Sequence, residues 1–185
     1  MTLKITAQLF ENRLVVWDPD EGSALYNMGF YGKPVGIAKP KPTGFTVPLM
    51  IDLIEGLYLL EKRLIRVRRT SRGRGLGIKS FRKYAREVYT DFDLDYLVYR
   101  DLREHGYVVL PGIKFGCEYA VYEQGPGIDH APYMVSVRKR GAYITATDIV
   151  RAGRLATSVR KRFIIAVPNL VTGLVQYHMF KWFKA

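Results

Sequence analysis

The sequence predicts an α/β (α+β) protein of two domains: a mixed α/β domain over residues 1–89 and a second α/β domain over residues 90–185. Three observations carry this. Up to His105 the longest apolar patterns recur at helical spacing, whereas beyond Gly106 the texture changes to short apolar runs separated by Pro or Gly. The length, 185 residues, is enough for a real core and for one domain or two small ones. Strand-like alternation also opens the chain, so the first domain is mixed rather than all-helical.

Taken in order, residues 3–17 alternate as two strands joined around Glu11 and Asn12, with Ile5, Ala7 and Leu9 and then Leu14 and Val16 on one side. Asp18-Pro-Asp-Glu-Gly22 reads as a turn. Pro48 to Leu60 predicts a helix with proline early, where helix starts tolerate it. Ile78 to Val88 predicts a second, and Asp91 to His105 a third, with Asp91 and Asp93 favouring its start. Tyr107 to Leu110, Phe115 to Tyr122, Pro132 to Val137 and Arg162 to Val167 read as strands. Thr147 to Val159 interrupts them as a helix with Thr147 as its N-cap. A strongly aromatic strand from Leu174 to Phe183 ends the chain, and no internal repeat is evident.

Composition narrows the partners. A net charge of +12 and a pI near 9.8 favour a polyanion, nucleic acid before a membrane surface. From Lys62 to Arg86 there are eleven Lys or Arg and no acid, a run that tracks phosphates or forms a solvated Arg-rich face. No apolar run reaches the roughly 18 residues of a bilayer span. The start, Met1-Thr-Leu-Lys-Ile-Thr-Ala, lacks a signal-peptide core, so a cytoplasmic protein is expected. Cys117 stands alone, which excludes an internal disulfide and a Cys-rich zinc site, and it is expected to pack as a small apolar group. Gly73-Arg-Gly-Leu-Gly77 lacks the strand and the Gly-Lys-Ser/Thr ending of a phosphate loop.

Three polar residues of the last third bear on such a partner: Tyr122, His130 in Gly127-Ile-Asp-His-Ala-Pro132, and Lys161 in Ser158-Val-Arg-Lys-Arg162. A phenol, an imidazole and an ammonium are the groups that cleave RNA without a metal. RNA supplies its own nucleophile, the 2′-hydroxyl, so the protein has to take a proton, give a proton and stabilise developing charge. His130 lies in a Gly/Pro-rich loop, whereas His105 ends a helix and His178 lies in the aromatic strand, both structural settings. Among 13 tyrosines, Tyr119 competes with Tyr122 from the opposite face of the same strand, and Lys161 sits in a basic run that is ordinarily solvated.

Five segments in order resemble the archaeal tRNA-splicing endonucleases: Ala24-Leu-Tyr-Asn-Met-Gly-Phe-Tyr-Gly-Lys-Pro34, Leu53-Ile-Glu-Gly-Leu-Tyr-Leu-Leu-Glu-Lys62, Gly106-Tyr-Val-Val109, Gly112-Ile-Lys-Phe-Gly116 and Ser158-Val-Arg-Lys-Arg162. The resemblance implies a restriction-endonuclease-like C-terminal domain with a central mixed sheet. It assigns Tyr122 as general base, His130 as general acid and Lys161 as the charge stabiliser, without metal or cofactor. It implies excision of introns from precursor tRNA at bulge-helix-bulge junctions, leaving 2′,3′-cyclic phosphate and 5′-hydroxyl ends. Arg154 falls where the family carries one of two arginines that sandwich a bulged base, and Lys181 falls near the second. The inserted loop 35–46, with Lys39 and Lys41 beside Pro40 and Pro42, resembles the extra loop of the heterotetrameric branch. In that branch the catalytic chain pairs with a noncatalytic homologous subunit as an α2β2 assembly. The alternative within the resemblance is a noncatalytic RNA-binding or assembly subunit, against which retention of all three polar residues argues.

Overall fold

Ile5, Ala7 and Leu9 alternate inward along β1 (Ile5–Phe10), and Leu14 and Val16 do so along β2 (Arg13–Val16), so the two strands share an apolar face. A computed structural model describes residues 5–38, 40, 44–70, 73–158 and 161–180. In it the chain divides into two units, Met1–Phe92 and Asp93–Ala185. No helix among the described residues is long and apolar enough to cross a membrane.

The first unit holds a six-stranded sheet in the order β3-β4-β2-β1-β5-β6, completed by β3 (Lys33–Pro34), β4 (Leu49–Ile51), β5 (Ile65–Arg68) and β6 (Gly75–Leu76). β1 pairs antiparallel with β2 and parallel with β5, which brings Ile65 and Val67 onto the same apolar face. Helix α2 (Leu53–Glu61) packs there, and α3 (Ile78–Val88), with Phe81 and Ala85 buried, packs against α2. A β-carbon added at Gly56 would fall 2.4 Å from Leu14 Cδ1, so α2 approaches this closely only as glycine. Each fully buried leucine of this face, Leu14, Leu53 and Leu57 among them, contributes about 1.5–3 kcal/mol.

Two expectations are corrected here. Asp18 to Gly22 is no turn but the start of helix α1 (Pro19–Gly29), because the Asp18 carboxylate accepts from the amides of Asp20 and Glu21 with Pro19 following it. The helix expected from Pro48 begins later: residues 49–51 pair with β2 as a strand, and Asp52 then caps α2 by accepting from Glu55 N at 2.8 Å.

The second unit holds a five-stranded mixed sheet in the order β11-β10-β9-β8-β7, formed by β7 (Val108–Pro111), β8 (Tyr119–Tyr122), β9 (Tyr133–Val137), β10 (Arg162–Asn169) and β11 (Leu174–Met179). All pairs are antiparallel except β9 and β10, which α5 (Ala146–Ser158) joins as a crossover. Helix α4 (Phe92–Glu104) is fixed to the sheet by buried Arg103, which donates to Val109 O and to Tyr99 Oη.

Further local corrections follow from hydrogen bonding. The strand expected from Phe115 starts only at Tyr119, because Ile113–Phe115 forms a 3-10 turn closed by Gly116 at φ 67°. Thr145, not Thr147, caps α5: its hydroxyl accepts from Asp148 N, and the Asp148 carboxylate accepts from Thr145 N. The terminal strand is described to Met179, and residues 181–185 lie outside the described residues.

Candidate active site

The register of three neighbouring strands sets the site. Val121 pairs with Tyr133, and Tyr133 with Arg162, while Arg162 N donates to Pro132 O at 2.8 Å. One step further out, Tyr122, Pro132 and Lys161 therefore form a row across the end of β8, β9 and β10. Adjacent members of such a row lie about 4.8 Å apart, which puts the backbones of Tyr122 and Lys161 within roughly 10 Å.

Lys161 reaches along this row. Its ammonium donates to Ala131 O and lies 5.5 Å from the centre of the Phe115 ring, which packs with Phe163 against buried Cys117 and Met134. The cation thus ends one residue from His130, whose ring is exposed.

His130 is carried by a folded loop. The Asp129 carboxylate accepts from the amides of Glu123 at 3.0 Å, Gln124 at 3.2 Å and Gly125 at 2.7 Å. Gly125 and Gly127 adopt φ 135° and 88°, a region that L residues avoid, so the turn needs both glycines. One side chain thereby ties the residue after Tyr122 to the residue before His130.

Tyr119 and Tyr122 are separated by their faces. Tyr119 is buried and donates its hydroxyl to Asp95 O of α4, next to the Tyr99 ring. Tyr122 lies on the other face, half-buried. Burial, and then the negative charge of Asp129, push its phenol above the ordinary tyrosine range. The Lys161 ammonium is turned to Ala131 O and the Phe115 ring. Burial also raises Asp129, but the amides of Gly125, Gln124 and Glu123 outweigh it and hold the carboxyl below the usual range.

Of the residues expected to hold RNA, Arg154 lies exposed on α5, and no described contact joins it to the row. Lys39, Lys41 and Lys181 lie outside the described residues. The structure adds Asp129, the Ala131 carbonyl and Phe115, none of which the sequence singled out. An acid that ends a Gly-Pro-Gly turn was the available signal for the first.

An end-of-sheet row that joins a phenol, an imidazole-bearing loop and an ammonium can remove a proton, deliver one and offset negative charge. Two family models match the chain, one described as the tRNA intron endonuclease N-terminal domain over residues 5–82 and one as its catalytic C-terminal domain over residues 92–177. A protein of Hyperthermus butylicus named tRNA-splicing endonuclease is 44% identical over 180 residues, covering 97% of this chain and 99% of its own length. One of the same name from Sulfurisphaera tokodaii is 39% identical over 178 residues, covering 96% and 98%.

Proposed function

From the premise that the chain belongs to the tRNA intron endonuclease family and is an endoribonuclease, we propose that it excises introns from precursor tRNA by metal-independent transesterification. The 2′-oxygen at the cut attacks its neighbouring phosphorus as its proton passes to Tyr122. The P–O5′ bond breaks, and the leaving 5′-oxygen takes a proton from His130. Lys161 offsets the charge that builds on the non-bridging oxygens. The products are a 2′,3′-cyclic phosphate and a 5′-hydroxyl.

The observation that carries this reading is the row Tyr122, Pro132, Lys161, with His130 two residues from its centre and the loop held by Asp129. The raised phenol fits a base that works through a small but strongly basic phenolate fraction. By the same reading Arg154 and Lys181 steady a bulged base, while Lys39 and Lys41 in the loop 35–46 contact junctions that depart from the regular bulge-helix-bulge. The chain works at bulge-helix-bulge junctions beside a noncatalytic homologous subunit, in an α2β2 assembly. Exposed Leu174 and Met179 on the edge strand β11 supply an apolar surface for that partner.

Cleavage of a prefolded precursor should survive a chelator of divalent ions and stop when the residue 5′ of the cut carries a 2′-deoxyribose. Strict Mg²⁺ dependence, or cutting of the deoxy substrate, would sink the mechanism.

A further inference from the structure

One step inside the row of Tyr122, Pro132 and Lys161, the same three strands carry a second row. Val121 pairs with Tyr133, and Tyr133 with Arg162, so these side chains share one face of the sheet. Tyr122 and Lys161, each one residue away, alternate to the opposite face. They stand at the ends of β8 and β10, which do not pair with each other, so their spacing depends on what bridges β9.

Tyr133 makes that bridge. Its hydroxyl donates to Glu123 Oε1 at 3.2 Å, and Glu123 directly follows Tyr122. The Arg162 guanidinium lies over its ring, 5.8 Å from the centroid, and Arg162 directly follows Lys161. The Tyr107 ring meets it edge-on, with centroids 6.1 Å apart and planes at 84°, an arrangement that fixes the tilt of the ring. One side chain thus spans from the residue after the phenol to the residue after the ammonium. Glu123 and Arg162 are exposed, so this chain of contacts adds little to the core. Nor is Tyr133 a rival base: partial burial, and then its hydrogen bond to the Glu123 carboxylate, push its phenol above the ordinary tyrosine range, which keeps it a donor at neutral pH.

We propose that Tyr133 is a positioning residue that acts through Glu123 and Arg162 to fix the Tyr122 phenol and the Lys161 ammonium relative to each other. The inference rests on the roles argued above for Tyr122 and Lys161. Its effect is separate from that of Asp129, which holds the His130 loop to the end of β8, because Tyr133 joins the two outer members of the row.

The test is single-turnover cleavage of an intron-containing precursor, at saturation, by the assembled enzyme, with precursor affinity and the unfolding midpoint measured beside it. Tyr133→Phe keeps the ring and loses only the bond to Glu123, and it should slow cleavage by about 3 to 10-fold, the worth of one hydrogen bond. Tyr133→Leu should slow it by about 10 to 100-fold, the scale of misplaced reacting groups. Precursor affinity should be unchanged in both, since the loss falls on the chemical step. Glu123→Ala should match Tyr133→Phe, and the two together should cost no more than either alone. Glu123→Gln still offers a carbonyl acceptor and should keep the wild-type rate. A merely structural bridge would lower the unfolding midpoint and leave the rate of the folded enzyme as it was. A wild-type rate in Tyr133→Leu, a loss in affinity instead of rate, or losses that multiply in the double variant overturn the inference alone. A wild-type enzyme that cuts no intron-containing precursor overturns the proposed function and this inference with it.

Discussion

Asp129 accepts three amides from residues that follow Tyr122 directly, and it is itself followed by His130. Removing it should therefore act on geometry and on charge at once. Asp129→Ala should slow single-turnover cleavage about 10 to 100-fold through loop disorder, a scale consistent with misplacing a catalytic group. It should also lower the pKa of Tyr122 by removing the neighbouring charge, a change that NMR or absorbance titration of the phenol reads directly. A merely structural Asp129 would leave that titration in place. The catalytic pair gives a second readout. Phenolate rises tenfold per pH unit below the tyrosine pKa, so a step limited by a phenolate base should quicken with pH. His130→Ala should lose about 10² to 10⁴-fold and its residual rate should rise with pH, a rise that adding Tyr122→Phe should abolish. A level profile in His130→Ala would remove the base assignment. At this scale the sequence supplied the residue types, since Tyr122, His130 and Lys161 are visible as chemistry and in register with a family. It could not supply the Lys161–Ala131 contact, because the acceptor is a backbone carbonyl that leaves no mark in sequence.

The sheet edge raises the question of what β11 does. It pairs only with β10, and it exposes Leu174 by 68% and Met179 by 48%. Ending the chain at Gly173 should abolish association with the proposed partner subunit in sedimentation or native mass measurement. Because Tyr177 donates to Asp101 Oδ2 at 2.6 Å, truncation also loosens α4, so Leu174→Lys with Met179→Lys serves as the milder variant. A doubly substituted chain that still assembles would refute the interface. Helices with a full apolar stripe, α3 and α4, were legible within a residue or two, as was the strand texture after Gly106. β3, β5 and β6 were not read as strands, and two further misses are places where two patterns coincide. Leu49, Ile51 and Leu53 fit both a strand and the first turn of a helix, and pairing with β2 decided between them. Asp18-Pro-Asp-Glu-Gly22 carries turn residues that serve equally as a cap, a first-turn proline and first-turn acids, and α1 follows from them.

For the molecule as a whole, burial sets an alkaline limit. Cys117 is buried, and desolvation, with the Glu118 charge second, lifts its thiol from 9.0 to about 11. A group raised in the folded state contributes stability below its unfolded pKa and loses it as pH climbs to the folded value. Tyr122 and Tyr177 are raised as well, Tyr177 chiefly by burial and then by its hydrogen bond to Asp101. Denaturant unfolding should thus be level from neutrality to about pH 9 and weaken above it. Cys117→Ala should shallow the decline between pH 9 and about 11, and an unchanged decline would show that the thiol takes no part. The charge of +12 belongs to the same scale: it told of a polyanionic partner, but only the fold gathered Arg66, Arg68 and Arg74 around one cleft.

The parallel pairing of β9 with β10 also fixes when the row of Tyr122, Pro132 and Lys161 can close. Lys161 meets a carbonyl 30 residues earlier in the chain, across the whole of α5. At synthesis rates of about 5–20 residues per second, Tyr122 and His130 are made roughly 2–6 s before the ammonium that completes their row. A nascent chain in that interval holds the proposed acid and base without the proposed charge stabiliser. The row across the sheet end is thereby complete only once β10 has been made and has paired with β9.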